Sequence, residues 1–255
     1  MTEPRKSKSD GAAALRHDGR RPTQLRELKI KRRYTRGAPG SVLIQAGRTT
    51  VLCTASIEEA VPGWMKGQGR GWVTAEYAML PGSTSPRKPR ERGGKVDGRT
   101  TEIQRLIGRS LRAVVNLQAL GERAITVDCD VLEADGGTRT ASITGAFVAL
   151  VDAVRSVATA ETARTVFLDS VAAVSVGLVG GVVVLDLDYV EDSQADVDMN
   201  VVLTGGGKFV EVQGTGERTV FDEQQLAALL KSARGGLRDL TELQRDALGR
   251  NWPFE

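Results

Sequence analysis

The sequence has very little of what several common catalytic designs require. Its 255 residues include a single histidine, His17, and two cysteines, Cys53 and Cys129. One histidine inside a basic N-terminal stretch argues against a Ser-His-Asp or Cys-His catalytic unit. The cysteines form no Cys-x-x-Cys motif, which argues against a zinc site or a disulfide framework. Because each lies in an apolar run typical of a strand, we expect buried, reduced thiols.

Other absences restrict the location and the ligand class. Neither a G-x-G-x-x-G fingerprint nor a P-loop is present, so nucleotide-binding motifs of those kinds are missing. No uninterrupted apolar run approaches the roughly 18 residues of a transmembrane helix. The N-terminal MTEPRKSKSDG has no apolar core behind its basic residues and is not a secretory signal. We therefore expect a cytoplasmic protein that does not bind a membrane.

Charge is distributed unevenly along the chain. Residues 1–36 contain twelve Lys or Arg and four Asp or Glu, for +8, while the other 219 residues contain 23 and 28, for −5. A basic region on an acidic body favours contact with a polyanion. The alternative is a solvated, disordered tail, which we expect for residues 1–14 and leave open for residues 16–36.

The hydrophobic pattern predicts an α+β protein. The first helix is expected at 101–120, with Thr101 and Gln104 as a capping box and Gly121 as its stop. A second helix is expected from Thr140, and a last one after Phe221, capped by Asp222 and Gln225 and kinked or split at Gly235-Gly236. Strands are expected near 41–46, 49–56, 71–77, 124–132, 171–178, 182–189, 198–204 and 208–213. This order indicates helices packed on largely antiparallel sheets.

Two segments are candidates for binding an anion. Gly136–Thr140 lies between a strand and a helix, where glycines permit close approach, free N–H groups favour an anion, and Thr138 and Arg139 add donors. Arg99 lies at the start of the first long helix in the same way. A tight turn with an exposed arginine, and a surface arginine beside a cap, are the alternatives.

Carboxylates and a basic loop are the other candidate groups. Asp196 and Asp198 follow Asp192 and alternate at strand spacing. Carboxylate oxygens suit Mg²⁺, and the alternative role for one of these carboxyl groups is that of a general acid. The loop that contains Arg87 and Arg90 has four basic residues among 87–92, which favours contact with a nucleic-acid backbone. Solvated turns and loops are the alternatives. Without a suitable histidine, attack by inorganic phosphate on a phosphodiester fits these groups, because phosphate is already anionic near neutral pH.

Several segments, in order and with little insertion, resemble the ribonuclease PH family from about Arg16 to near the C-terminus. They are RHDGR (16–20), GSVLIQAGRTTVLCTASIEE (40–59), GWVTAEYAMLPGST (71–84), GRTTEIQRLIGRSLRAVV (98–115), DCDVLEADGGTRTASITGAFVAL (128–150), YVEDSQADVDMNVV (189–202) and EVQGTGE (211–217).

The resemblance implies both an activity and an architecture. The implied activity is that of a phosphorolytic 3′→5′ exoribonuclease and reversible tRNA nucleotidyltransferase. Such an enzyme trims tRNA precursors beyond the CCA end, with rRNA as a further substrate, and releases nucleoside 5′-diphosphates. The fold is a duplicated β-α-β-α unit like domain 2 of ribosomal protein S5, assembled as a homohexamer that is a trimer of dimers. It implies one domain of two pseudo-repeats at 15–250, between a tail at 1–14 and a C-terminal tail at 251–255.

The family's functional residues transfer onto specific positions. Phosphate binding falls on Arg99, Gly137, Thr138 and Arg139; catalysis with Mg²⁺ falls on Asp192 and Asp198; RNA contact falls on Arg87 and Arg90. Asp196 lies where the family accepts other residues. One departure is Gly82, where the family often has a basic residue, so the grip on tRNA is in question. Two rival functions stay open: a non-catalytic RNA-binding ring subunit, and a small-molecule enzyme that uses the same anion site.

Overall fold

The computed structural model describes residues 16–90 and 97–254. The N-terminal tail predicted at 1–14 lies outside them, as do residues 91–96 of the basic loop. The strands are β1 (Leu28–Arg32), β2 (Gly40–Ala46), β3 (Thr49–Glu58), β4 (Trp72–Met79), β5 (Ala124–Glu133), β6 (Val171–Val179), β7 (Val182–Leu185), β8 (Val197–Thr204) and β9 (Phe209–Gly216). The α-helices are α1 (Gly98–Arg112), α2 (Leu117–Leu120), α3 (Thr138–Val157), α4 (Ala160–Val166), α5 (Tyr189–Asp192) and α6 (Glu223–Leu248).

The strands form two sheets, one from each half of the chain. The first sheet has the order β1-β2-β3-β5-β4, in which only the β4–β5 pair is parallel. The second has the order β7-β6-β8-β9 and is antiparallel throughout. The predicted α+β class with largely antiparallel sheets is therefore confirmed.

Helix α3 forms the core between the two sheets. It packs on β2 and β3 of the first sheet and on β6 of the second, and Ile143, Phe147 and Leu150 are completely buried. At Gly145 an added Cβ would lie 2.8 Å from Ile44 Cγ2, so the absence of a side chain permits this close helix–sheet contact. By length and composition α3 is apolar enough to cross a membrane, contrary to our reading of the sequence. Burial between two sheets explains that composition.

The first helix is shorter than predicted. Its N-cap is Asp97, whose side chain accepts a hydrogen bond from the Thr100 N–H at 2.6 Å, so the predicted Thr101–Gln104 capping box is wrong. The chain leaves the helix after Arg112, Val115 forms a β-bridge with Phe167, and Asn116 caps the separate helix α2. The bridge to the distant Phe167 interrupts a pattern that is locally helical.

Other boundaries differ for equally specific reasons. The strand predicted at 182–189 ends at Leu185, because Asp186 takes a left-handed backbone with φ of 56° and Asp188 begins α5 with a capping box. The predicted cap of α6 by Asp222 and Gln225 is confirmed. This helix continues through Gly235-Gly236 without a break, so the predicted split is wrong.

The two ends of the described chain are packed rather than loose. The basic stretch contributes an unpredicted strand, β1, whose alternate residues are partly buried. At the other end, the Trp252 ring lies edge-on to Phe147 with centroids 6.3 Å apart, and Pro253 is buried. Residues 252–254 therefore cover the core and do not form the expected tail. Cys53 and Cys129 are free and buried, as predicted.

Candidate functional site

A cleft of about 480 Å³ lies where the two halves of the molecule meet. Its lining brings together six residues singled out in the sequence, namely Arg99, Gly137, Thr138, Arg139, Asp192 and Asp198. They come from α1, the start of α3, the end of α5 and strand β8. Convergence of the two arginines, which local sequence left open, is therefore present in the fold.

The turn at Gly136-Gly137 aims the N-terminus of α3 into this cleft. Both glycines have left-handed backbone, with φ of 76° and 65°. At Gly136 an added Cβ would lie 2.7 Å from the Leu187 carbonyl oxygen, so the turn lies directly against the second half of the chain. Gly137 is the N-cap of α3 and has no capping side-chain bond. The helix N-terminus therefore offers N–H groups and a partial positive charge to an anion.

Thr138 is held by a residue that the sequence reading missed. Its hydroxyl lies 2.9 Å from the Tyr77 hydroxyl in a buried hydrogen bond. Burial raises the pKa of Tyr77, against the lowering effects of Thr138, Arg99 and Arg139, so the phenol keeps its proton. When Tyr77 donates to Thr138, the Thr138 proton is free to point to a bound anion. The alternation of β4, which buries Tyr77, was the available sequence signal.

Arg139 is positioned by one residue from each half of the molecule. Its Nη1 donates to Gln213 Oε1 on β9 at 2.9 Å and lies 3.5 Å from Glu102 Oε1 on α1. Gln213 Nε2 in turn donates to the same Glu102 oxygen at 2.7 Å. Arg99, by contrast, is exposed in the first turn of α1. One guanidinium is therefore fixed by neighbours, and the other is free to adjust to a ligand.

Asp192 and Asp198 form the acidic side of the cleft. Burial, together with the neighbouring Asp192, raises the pKa of Asp198 to about 6 against the opposing effect of Arg139. Burial also raises the pKa of Asp192, against the attraction of Arg99 and Arg139. Asp198 Oδ1 is buried and lacks a hydrogen-bond partner within the described ranges. An unsatisfied buried carboxylate oxygen is costly, so it indicates a missing cation or donor.

Asp196 does not join this pair. Strand β8 begins one residue later, at Val197, and the cleft lining contains Asp198 but not Asp196. The backbone of Asp196 is used structurally, since its N–H donates to the Leu178 carbonyl and its carbonyl accepts from Glu217. The lower weight that the resemblance gave to Asp196 agrees with this position.

Arg87 and Arg90 are exposed and do not line the cleft. Thr84, Ser85 and Pro86 form part of the lining, and both arginines follow them on exposed chain. At Gly82 an added Cβ would meet no atom within 4 Å. The structure therefore has room at this position for the basic residue that the family often carries.

The basic N-terminal stretch is largely used inside the protein. The guanidinium groups of Arg16, Arg20 and Arg26 are nearly buried and pair with Glu191, Asp188 and Asp186. His17 Nε2 lies 2.7 Å from Asp188 Oδ2. Together with Asp18, these residues place their ligand atoms close enough to one another to hold a metal ion. Arg20 already contacts both Asp18 and Asp188, which identifies the group as an ion-pair network. The hypothesis that residues 16–36 serve a polyanion therefore fails for these three arginines.

The chain is similar to known 3′ exoribonucleases over most of its length. The profiles of the 3′ exoribonuclease family match residues 24–156 (domain 1) and 169–236 (domain 2). A ribonuclease PH from Rhodopirellula baltica is 61% identical over 238 residues, which cover 91% of this chain and 97% of that protein. Among solved structures, an Archaeoglobus fulgidus exosome chain, from an exosome with RNA bound to the active site, superposes with a TM-score of 0.75 at 23% identity and covers 89% of this chain and 92% of its own. Rice Rrp46 gives 0.71 at 21% identity and covers 91% and 100%. The chain therefore belongs to the 3′ exoribonuclease family.

Proposed function

We propose that this chain is a phosphate-dependent 3′→5′ exoribonuclease and tRNA nucleotidyltransferase that trims tRNA precursors beyond the CCA end. The observation that carries the proposal is one cleft with two arginines, an open helix N-terminus and two carboxylates. Membership of the family supports the activity, and the relative at 61% identity is a ribonuclease PH.

The basic side of the cleft suits inorganic phosphate. The N–H groups that begin α3, the Thr138 hydroxyl and the Arg139 fork supply donors of the kind that phosphate oxygens accept. The exposed Arg99 approaches from α1 and balances the second negative charge of the phosphate dianion. Holding the nucleophile in this way converts a bimolecular attack into an effectively unimolecular one with fixed orientation.

The reaction balances without a histidine. An oxygen of phosphate forms a bond to the phosphorus of the last phosphodiester, and the bond from that phosphorus to the 3′ oxygen of the preceding ribose breaks. The terminal nucleotide leaves as its 5′-diphosphate, and the new RNA end takes up a proton as a 3′ hydroxyl. With no metal bound, the Asp198 carboxyl, whose pKa is raised to about 6, is suited to carry that proton. The reverse direction adds a nucleotide from its diphosphate.

Mg²⁺ belongs to this proposal as the cation for Asp192 and Asp198. The unpartnered, buried Oδ1 of Asp198 beside a second carboxylate suits a hard cation that takes oxygen ligands and keeps several waters. When bound, Mg²⁺ supplies charge stabilisation at the scissile phosphodiester.

Assembly as a homohexamer, a trimer of dimers, is the proposed quaternary structure. Val212 on β9 and Val220 beyond it are exposed apolar side chains, and β9 is an edge strand of the second sheet. Such features favour association with other chains. A native mass of six chains in solution is the expected result. The free, buried thiols of Cys53 and Cys129 support a cytoplasmic location.

The deciding experiment uses an RNA whose 3′ extension beyond CCA carries labelled nucleotides, incubated with and without phosphate. We expect shortening only with phosphate, with nucleoside diphosphates as products. Arg139→Ala should abolish this turnover, whereas Arg48→Ala, which removes an exposed arginine paired with Glu133 outside the cleft, should retain it. Monophosphate products would refute phosphorolysis. RNA binding without diphosphate release would instead identify a non-catalytic ring subunit.

A further inference from the structure

The Arg26 side chain lies behind the cleft and reaches both of its arms. The phosphate arm is the Gly136-Gly137 turn that starts α3, and the acidic arm is the segment that carries Asp192. Its guanidinium is nearly buried, with the side chain 6% exposed. Nε and Nη2 bind the two carboxylate oxygens of Asp186 at 3.0 and 2.7 Å, and Nη1 donates to the Asp135 carbonyl at 2.6 Å. Arg26 itself is absent from the cleft lining, so any role that it has in this cleft is indirect.

The Asp186 end of this contact controls the acidic arm. Asp186 has left-handed backbone, which is uncommon outside glycine, and the Arg26 backbone N–H adds a third bond to its carboxylate at 2.8 Å. Two residues later Asp188 caps α5, and the last residue of that single-turn helix is Asp192. The direction in which Asp192 points therefore depends on how the turn at Asp186 is held.

The Asp135 end of the contact controls the phosphate arm. Asp135 is followed by Gly136-Gly137, the turn that starts α3. At Gly137 an added Cβ would lie 2.9 Å from Arg26 Nη2. The guanidinium thus fills the space directly behind the turn whose N–H groups face the cleft.

We propose that Arg26 is a positioning residue that fixes the distance between the phosphate-binding turn and the Asp192 arm. This rests on the proposed function, because the two arms are the basic and acidic sides of that site. A planar guanidinium has five N–H donors in a rigid fork and spans a carboxylate and a carbonyl at once. Lysine retains the charge opposite Asp186 as a single point and leaves the carbonyl of the turn without its donor.

The chain contains a matched control for a test of this role. Arg32 binds Asp152 through Nε at 2.7 Å and through Nη2, and its Nη1 donates to the carbonyls of Ala247 and Leu248. The fork is therefore used in the same way, but it joins β1 to α3 and to the end of α6, outside the cleft. Arg26→Lys and Arg32→Lys carry comparable structural costs, and only the first alters the arms.

Both lysine variants should be measured for melting temperature, for KM and kcat at varied phosphate, and for binding of inorganic phosphate by calorimetry. We expect similar falls in melting temperature, with a KM for phosphate that rises about 10- to 100-fold in Arg26→Lys alone, because small misplacements at a reacting centre have effects of that size. Calorimetry should show the same loss of phosphate affinity. A KM for phosphate in Arg26→Lys within about twofold of Arg32→Lys would overturn the proposal.

A second variant separates this result from a failure to fold. Asp186→Asn keeps the shape of the side chain and removes the charge that anchors Arg26, so its phosphate affinity should fall as well. Unchanged phosphate affinity in this variant would also overturn the proposal. Failure of the proposed function is recognised separately, since the unaltered protein would then shorten RNA without phosphate or not at all.

Discussion

The hydroxyl oxygens of Tyr77 and Thr138 lie 2.9 Å apart in a buried hydrogen bond. The bond joins the end of β4 in the first sheet to the first residue of α3. It therefore orients a hydroxyl at the position where the helix N-terminus meets the cleft.

Tyr77→Phe should weaken phosphate binding while preserving the fold. The change removes one hydroxyl from a buried pair, and a hydrogen bond of this kind contributes about 1 kcal/mol, equivalent to roughly fivefold in an equilibrium constant. We expect the KM for phosphate to rise about fivefold with little change in the KM for RNA. Steady-state kinetics with each substrate varied in turn will test this. Equal rises in both constants would contradict the assigned role of the pair.

Arg99→Ala and Arg139→Ala should act on the same phosphate. Each removes a charge-assisted contact, and the expected loss in kcat/KM for phosphate is roughly 100-fold per variant. Because the two arginines line one cleft, the double variant should lose less than the product of the single losses. Kinetics of the four proteins form a double-mutant cycle. Strictly multiplicative losses would show that the arginines serve separate ligands.

Asp198→Asn should stabilise the metal-free protein at neutral pH. Because the pKa of Asp198 in the folded protein is raised to about 6, above the ordinary aspartate value of 3.8, the carboxyl favours folding below about pH 4, and this advantage is lost as the pH rises to about 6. The gain from asparagine should therefore grow between pH 4 and 6 and level off on the order of 3 kcal/mol, since the pKa rises by about two units and one unit corresponds to about 1.4 kcal/mol. Denaturant unfolding in EDTA across this range will measure it.

The control for that experiment is Asp196→Asn, which subtracts the general effect of removing one negative charge. Addition of Mg²⁺ at pH 7.5 should raise the melting temperature of the unaltered protein and of Asp196→Asn, but not of Asp198→Asn. Equal stabilisation of all three by Mg²⁺ would place the cation elsewhere.

Arg87→Ala and Arg90→Ala should weaken RNA binding without affecting phosphate. Both side chains are exposed on the segment that follows the lining residues Thr84–Pro86, so they are available to the RNA backbone. On a single-stranded 3′ end each substitution should reduce the salt slope of log Kd by about 0.7. Gly82→Arg is the converse change, since a Cβ there meets no atom within 4 Å. We expect it to tighten binding and increase the slope. Fluorescence anisotropy at several salt concentrations will measure both effects.

Local sequence was sufficient for features that depend on a few neighbouring residues. The turn at Gly136-Gly137 before α3 and the Asp222–Gln225 cap of α6 follow from backbone freedom and from capping over three or four positions. The regular alternation of the strands likewise predicted the α+β class. Family resemblance then supplied roles for Arg99, Asp192 and Asp198 that spacing alone left open.

Contacts between distant residues were decided only by the tertiary structure. Local pattern continued the first helix to 120, but the bridge from Val115 to Phe167 ended that stretch. The same charge pattern that favoured a polyanion is satisfied at Arg26 by Asp186, 160 residues away. A basic residue finds its partner through chain topology, which neither composition nor periodicity contains. The sequence by itself therefore determined the glycine turn that begins α3, whereas the fold decided which arginines of the described residues face the cleft.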